Sequence, residues 1–126
     1  MDNRRPEALA LLQEAFKSRP NNFMLLELTR GQFLNGLVDD AFAGLREWLR
    51  THPQDLLIRR ALAEFLMGFD RKAEALAEYE VITESAPEDV VALNNLAWLR
   101  LGMGRTGEAI TAARRAHQLQ PDNIEV

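Results

Sequence analysis

The chain has 126 residues, of which 47% are hydrophobic and 27% charged, with a net charge of −4 and no cysteine. These values fit one globular domain, argue against a nucleic-acid partner, which needs clustered positive charge, and exclude disulfides, thiolate metal sites and cysteine nucleophiles. The sequence has no apolar run long enough for a membrane span and no signal-peptide core at its N-terminus.

A spacing of 33 or 34 residues recurs along the chain. It is marked by Pro20, Pro53, Pro87 and Pro121, which are spaced by 33, 34 and 34 residues. Twelve residues before these prolines stand Ala8, Ala41, Ala75 and Ala109, and four residues after these alanines stand Leu12, Leu45, Tyr79 and Ala113. Leu28, Leu62 and Leu96 precede the last three alanines by thirteen residues and are followed by Thr29, Ala63 and Ala97. A period of this length predicts stacked helical repeats.

In chain order, this pattern predicts seven helices: 6–18, 22–34, 38–51, 55–68, 71–85, 89–102 and 105–119. The other six helices form three antiparallel pairs, and in each pair we call the earlier helix the first helix and the later one the second helix. Helix 6–18 stands alone and corresponds to the second helix of a pair. Small residues let the paired backbones approach closely, while larger apolar residues fill the remaining volume. Each proline ends a second helix because it cannot donate a helical hydrogen bond.

The stretch GMGRTGEA, residues 102–109, matches the G-x-G-x-x-G fingerprint of dinucleotide sites, and Asp122 follows Gly102 by twenty residues. Such a site needs a strand before the glycines, whereas ALNNLAWLRL has helical spacing. Gly104 is in register with Gly36 and Asp70, between the two helices of a pair. We therefore interpret Gly104 as the residue with positive φ that ends a helix.

These spacings resemble the tetratricopeptide repeat, whose pattern joins W-x2-L-G-x2-Y, A-x3-F and P over 34 residues. The likeness is carried by LNNLAWLRLGMGRTGEAITAARRAHQLQP and RRALAEFLMGFDRKAEALAEYEVITESAP, and more weakly by LLELTRGQFLNGLVDDAFAGLREWLRTHP. It implies an all-α, right-handed superhelix of antiparallel helix pairs, a tetratricopeptide-like α-solenoid covering residues 1–126.

Within this array we expect a half repeat at 6–19, repeats at about 20–52, 53–86 and 87–120, and the start of a further repeat at 121–126. Both ends look cut, so a fragment of a longer chain is expected. The last helix has no polar cap, and repeat arrays normally need one. We expect the uncapped ends to stack into a homodimer, with Ile110, Ala113, Ala116 and Leu119 on the last helix.

The resemblance implies that a protein or peptide partner binds to the first helices on the concave side. The residues expected to face it recur at helical spacing: Phe23, Leu26, Arg30, Leu57, Arg60, Glu64, Val91, Asn94, Asn95 and Trp98. Aromatic residues and arginine are enriched at binding hot spots, and Trp98 is the strongest candidate because it is large and apolar on an open face. The same spacing includes Phe33, Met67 and Leu101, which we assign to the core within each repeat.

Several of these residues also allow a structural interpretation. Arg60 and Glu64 suit an ion pair on a helix surface, and Trp98 could pack against a neighbouring helix or a second copy. In some repeat arrays a row of asparagines on the first helices hydrogen-bonds a peptide backbone. Asn95 would be one member of such a row, but the equivalent positions of the other repeats hold Glu27 and Ala61. The carboxylate clamp of chaperone-tail binders is absent from the matching places. Trp48 is expected in the core, where a second helix packs on the next first helix.

The sequence predicts no enzyme activity, no metal site and no cofactor. His52 and His117 lie near the ends of second helices, without the spacing of metal ligands, and no Ser-His-acid set is evident. We expect both histidines to cap helix C-termini. The paired arginines at 4–5, 59–60 and 114–115 lack interleaved aromatic residues and are expected to be solvated.

The segment PEDVVALNNLAWLRLGMGRTGEAITAARRAHQLQPDNIEV also resembles the C-terminal repeats of bacterial tetratricopeptide lipoproteins linked to PEP-CTERM/exosortase and exopolysaccharide export. That likeness implies a scaffold in the periplasm or at the outer membrane; without it, the cytoplasm is expected. Two alternatives remain open: a repeat region that recruits substrate for a larger enzyme, and a self-associating structural array. The sequence does not identify the partner.

Overall fold

The computed structural model describes residues 4–121, a range that contains seven α-helices and no β-strand. The helices are α1 (Arg4–Ser18), α2 (Asn22–Leu34), α3 (Val38–Thr51), α4 (Leu56–Gly68), α5 (Lys72–Ser85), α6 (Val90–Gly102) and α7 (Thr106–Leu119). The seven predicted helices are confirmed, with ends that differ by two residues at most. Residues 122–126 lie outside the described residues, so neither Asp122 nor the further repeat expected at 121–126 is described beyond Pro121.

The chain divides into two compact units, Met1–Leu62 and Ala63–Val126, and the boundary falls within α4. In the first unit, α2 packs against both α1 and α3. In the second unit, α6 packs against both α5 and α7. Each unit therefore has a first helix held between two second helices, which is the neighbour relationship that the repeat predicts.

The core of the first unit is built on the small residues of the pattern. Thr29 is fully buried, and its hydroxyl donates to the Leu25 carbonyl oxygen at 2.7 Å, which satisfies the polar group that burial removes from water. Two residues later, a β-carbon on Gly31 would lie 2.9 Å from Cδ1 of Leu12, so α1 and α2 approach closely there. Phe33 and Phe42 meet edge to face, with centroids 5.3 Å apart.

The core of the second unit follows the predicted spacing. Leu93, Leu96 and Leu99 of α6 are buried, and so are the repeat alanines Ala75 and Ala109. An apolar stripe at intervals of three along α6 is a helical pattern, not a strand pattern. The helix before the glycines therefore rules out the dinucleotide fingerprint, because that motif needs a strand at this place.

Two positions of the pattern are exposed where their counterparts are buried. Ala8 on α1 and Ala113 on α7 are exposed, while Ala41 and Leu45, which hold the same places in α3, are fully buried. Tyr79, at the same place as Ala113, bonds to the following first helix. No first helix precedes α1 or follows α7 within residues 4–121, so these two alanines have no helix to cover them.

Each turn inside a helix pair has the same hydrogen-bond pattern. Gly36, Asp70 and Gly104 have φ of 76°, 59° and 77°, the left-handed conformation expected from the sequence. Around Gly104, its own N–H bonds to the Leu101 carbonyl at 3.1 Å and the next N–H, from Arg105, bonds to the Arg100 carbonyl at 2.8 Å. This is a Schellman motif, which satisfies carbonyls at a helix end.

The turns between pairs absorb the irregular spacing of the first repeat. Three residues (19–21) join α1 to α2, whereas four residues join α3 to α4 (52–55) and α5 to α6 (86–89). The first helices α2, α4 and α6 each have 13 residues, and the second helices α3, α5 and α7 each have 14. Pro20 precedes Leu28 by eight residues, whereas the corresponding prolines precede Leu62 and Leu96 by nine. The residue that the first repeat lacks is therefore absent from a turn, not from a helix.

Candidate protein-binding surface

None of the ten residues predicted to face a partner is buried. The large apolar members expose a half to two thirds of their surface: Phe23 65%, Leu57 51%, Val91 66% and Trp98 66%. Arg30, Arg60, Glu64 and Asn94 are also exposed, and Leu26 and Asn95 are half-buried. The predicted set is accessible to a partner. The first unit contains Phe23, Leu26, Arg30, Leu57 and Arg60, and the second contains Glu64, Val91, Asn94, Asn95 and Trp98.

In the second unit, a single helix displays most of the group. Val91, Asn94, Asn95, Trp98 and Leu101 are spaced by three or four residues or are adjacent, so they share one side of α6. We call these five residues the Trp98 face. Their side chains carry no charge, and the one charged residue of α6, Arg100, points to Glu108 of α7 with Nε 3.7 Å from a carboxylate oxygen. The Trp98 face is therefore an apolar and amide surface.

A pocket of about 140 Å³ opens at the C-terminal end of this face. It is lined by Lys72 of α5 and by Trp98, Leu99, Leu101 and Gly102 of α6. Leu101 is 54% exposed, so its assignment to the repeat core was wrong. Leu101 lies in the last turn of α6, whereas its counterparts Phe33 and Met67 are half-buried.

The middle of the Trp98 face is held by a hydrogen bond to α5. Asn95 Nδ2 donates to the hydroxyl oxygen of Tyr79 at 3.1 Å, and Tyr79 is 2% exposed. Burial raises the pKa of the Tyr79 phenol above its usual value of 10.0, and the carboxylates of Glu64 and Asp89 raise it further, against the effect of Asn95. Asn95 is thus fixed in place, in an environment made negative by two neighbouring carboxylates.

The first unit presents a smaller group on α2 and the start of α4. Phe23 and Leu57 are exposed apolar residues. The guanidinium of Arg30 lies 2.9 Å from a carboxylate oxygen of Glu27, and both side chains are about half exposed. An exposed i,i+3 pair of this kind contributes only a few tenths of a kcal/mol, so a partner could displace it easily.

Trp48, the second tryptophan, is half-buried. Its Nε1 donates to Oδ2 of Asp55 at 2.8 Å, and its ring stacks on the His52 ring with centroids 3.9 Å apart. Nδ1 of His52 lies 3.2 Å from the Trp48 carbonyl oxygen, at the end of α3 as expected. Trp48 packs against the start of the next first helix, which is the place that the repeat register predicts.

Sequence reasoning missed two residues that shape the Trp98 face. Lys72 lines the pocket and Tyr79 holds Asn95, yet both belong to α5, a second helix. Their part depends on how α5 lies along α6, which no local pattern shows. The only signal was the aromatic place of the repeat, where Tyr79 stands.

The described residues contain no group of three or more histidine, aspartate or glutamate side chains arranged to hold a metal ion. Among the helices of residues 4–121, none has the length and apolar character of a transmembrane segment.

Comparison of the sequence with family models and with curated proteins gave no match. Solved structures match it well in shape. The fold class that they define is the all-α solenoid of tetratricopeptide-like helix pairs, which confirms the class predicted from the sequence.

A tetratricopeptide repeat protein from Parabacteroides merdae has a TM-score of 0.81 at 18% identity, covering 95% of this chain and 48% of its own. MamA from Desulfovibrio magneticus RS-1, from its residue 41 to its end, has a TM-score of 0.74 at 21% identity, covering 94% of this chain and 68% of its own. A further MamA structure has a TM-score of 0.73 at 21% identity, covering 96% and 76%. The chain thus spans about half the length of the first protein and about two thirds of a MamA chain.

Proposed function

We propose that this protein is an interaction scaffold that binds a peptide or helix of another protein on its first helices. The observation that carries the proposal is Trp98, 66% exposed beside an open apolar pocket. A tryptophan gains more than most residues when a partner covers it, and tryptophan is enriched among interface hot spots.

Binding would proceed by burial of apolar partner side chains, with polar contacts setting the register. Covering one leucine- or phenylalanine-sized side chain at the Trp98 pocket contributes about 1.5–3 kcal/mol, roughly a tenfold to hundredfold change in affinity. Leu26 and Leu57 are further apolar contacts, and the polar residues Arg30, Arg60, Glu64 and Asn94 would discriminate between partners.

The test is affinity capture from extract of the source cells with three immobilised proteins: the natural chain, Trp98→Ala and Leu11→Ala. Leu11 is the matched control because it is an exposed leucine, at 71%, on α1 instead of a first helix. A protein retained by the natural chain and by Leu11→Ala, but lost by a folded Trp98→Ala, supports the proposal. Equal capture by all three proteins would show that the partner does not bind at the Trp98 face.

Self-association is a second candidate function, favoured by α7. Ile110 is 46% exposed and Ala113 is also exposed, on a helix with no described helix after it. In the second unit, Tyr79 occupies the place of Ala113 and meets the next first helix, so this side of α7 has the chemistry of a repeat contact. A second copy could supply that contact.

We further propose that the scaffold works in the bacterial cell envelope, within an exopolysaccharide export system. The support is the likeness of LNNLAWL and the following ARRAH to envelope-associated repeat lipoproteins. Fractionation of source cells with an antibody to this chain tests the location. Recovery with the cytoplasmic fraction would contradict it, and a catalytic domain in flanking sequence would favour the recruitment of an enzyme's substrate.

A further inference from the structure

We propose that the partner segment held by the Trp98 face is basic, with a large apolar side chain next to lysine or arginine. This inference rests on the proposed function and specifies the chemistry of the partner at that site. It follows from the combination of an uncharged face, an exposed indole ring and the net negative charge of residues 64–89.

The apolar part of the segment is set by the pocket. Trp98 and Leu101 expose 66% and 54% of their surfaces at its rim, and its volume of about 140 Å³ suits one apolar side chain. The exposed face of an indole ring also attracts cations, because its π-electrons give it a negative potential. A lysine or arginine beside the apolar anchor would contact Trp98 as well.

The basic part of the segment is set by the carboxylates of the same unit. Asp89 caps α6 two residues before Val91, with its Oδ1 accepting the Ala92 N–H at 3.1 Å. Glu64 and Asp89 also both raise the pKa of the Tyr79 hydroxyl, which accepts from Asn95 of the Trp98 face. Between residues 64 and 89 the chain has eight acidic residues and two basic ones, a net charge of −6. An acidic segment would be repelled at this place.

The cation at the pocket does not reverse this preference. Lys72 Nζ lies 3.6 Å from a carboxylate oxygen of Asp70, so its charge is partly offset on the surface. Arg100, the other nearby cation, is 19% exposed and directed at Glu108. Glu108 is also approached by Arg105, whose Nη1 lies 3.8 Å from the same carboxylate oxygen on α7, outside the lining of the pocket.

The test uses three synthetic peptides of equal length: a phenylalanine flanked by two lysines on each side, the same peptide with glutamates for lysines, and the lysine peptide with serine for phenylalanine. Binding is followed by NMR of the two indole N–H signals. Trp48 is an internal control because its N–H is bonded to Asp55. We expect the phenylalanine–lysine peptide to shift the Trp98 signal alone and to bind at least about fivefold more tightly than the others.

Two perturbations distinguish the contribution of charge to peptide affinity from that of the apolar side chain. Raising the salt concentration from ~50 mM to ~0.5 M is expected to weaken the phenylalanine–lysine peptide severalfold, because exposed charges are screened. Glu64→Gln, which keeps the shape of the side chain, is expected to weaken the same peptide about twofold to fivefold. An unchanged affinity in this variant and in high salt would overturn the basic preference.

The remaining outcomes distinguish this inference from the proposed function. If the glutamate peptide binds as tightly through Trp98 as the lysine peptide, the inference is wrong while a binding role of the Trp98 face stands. If no peptide shifts the Trp98 signal, the inference is also overturned, and the capture experiment decides the proposed function independently.

Discussion

The indole nitrogen of Trp48 donates to Oδ2 of Asp55 at 2.8 Å, across the turn that joins α3 to α4. The same carboxylate caps α4, since its Oδ1 accepts the Ile58 N–H at 3.2 Å, and it receives a longer contact of 3.4 Å from Asn22 Nδ2. One aspartate thus connects three helices of the first unit.

We expect Asp55→Ala to lower the free energy of unfolding by about 2–3 kcal/mol. The loss of a helix cap costs about 1 kcal/mol, and a half-buried indole N–H left without its charged partner adds about 1–2 kcal/mol. Urea unfolding followed by circular dichroism measures the effect.

Asn21→Ala is the matched control, because Asn21 caps α2 through the Met24 N–H at 2.9 Å and has no tryptophan partner. It is expected to cost about 1 kcal/mol. Equal losses in the two variants would show that the bond to Trp48 adds nothing to the cap.

The left-handed turn residues give a second prediction. Gly104→Ala is expected to destabilise the fold by about 1–2 kcal/mol, because φ is 77° there and an added β-carbon meets nothing within 4 Å, so the cost is conformational alone. Asp70→Gly is expected to stabilise it by about 0.5–1 kcal/mol for the same reason. Thermal and urea unfolding measure both changes.

Gly107→Ala controls for the substitution itself. Gly107 lies in the first turn of α7 with nothing within 4 Å of an added β-carbon and no positive φ. Alanine there should be neutral or stabilise by up to about 1 kcal/mol. A loss as large as that of Gly104→Ala would contradict the conformational explanation.

The third prediction concerns alkaline pH. Burial raises the pKa of Tyr79 in the folded protein, so the folded state retains a proton that the unfolded state loses above about pH 10. The contribution of Tyr79 to the free energy of unfolding is therefore fully present below pH 10 and is lost as the pH rises through the pKa of the folded state. The chain has one tyrosine, so tyrosinate absorbance reports Tyr79 alone.

We expect the titration midpoint to lie above 10 in native buffer and to fall to about 10 in denaturant. Tyr79→Phe removes the hydrogen bond to Asn95 and should lower the free energy of unfolding by about 1 kcal/mol at neutral pH. The difference in stability from the natural chain should become smaller above pH 10. The same midpoint in both buffers would disprove the raised pKa.

The fourth prediction is that the protein self-associates through α7. Ile110→Glu places a charge in the exposed apolar strip and is expected to weaken association at least tenfold. Sedimentation velocity over a wide range of protein concentration measures it, with Val81→Glu, on exposed α5 surface, as the control. A natural chain that stays monomeric at the highest concentration contradicts the prediction.

The sequence was sufficient for the helices because their ends are determined locally. The prolines, the aspartate and asparagine caps and the three left-handed turn positions all act within a few residues of the helix that they end, and the helix limits followed to within two residues. Even Asp70 was placed correctly, because its register with Gly36 and Gly104 outweighed its identity.

The site was predicted less completely because it depends on contacts between helices. The spacing along α6 placed Trp98, Asn94 and Val91 on an accessible side, but it could not show that Leu101 is exposed and not packed in the repeat core. Nor could it show that Asn95 bonds to Tyr79, since those residues are sixteen positions apart on different helices.

The short turn at residues 19–21 has a consequence for how such arrays change length. Removing one residue from a helix would rotate every later side chain by about 100° around the axis and turn the buried stripe toward solvent. Removing it from the turn leaves α2 with the same 13 residues as α4 and α6, so its buried leucines keep their angular position. The buried residues of each repeat are oriented independently after each proline-containing turn. A one-residue deletion in one turn therefore leaves the buried residues of the next repeat in the same orientation.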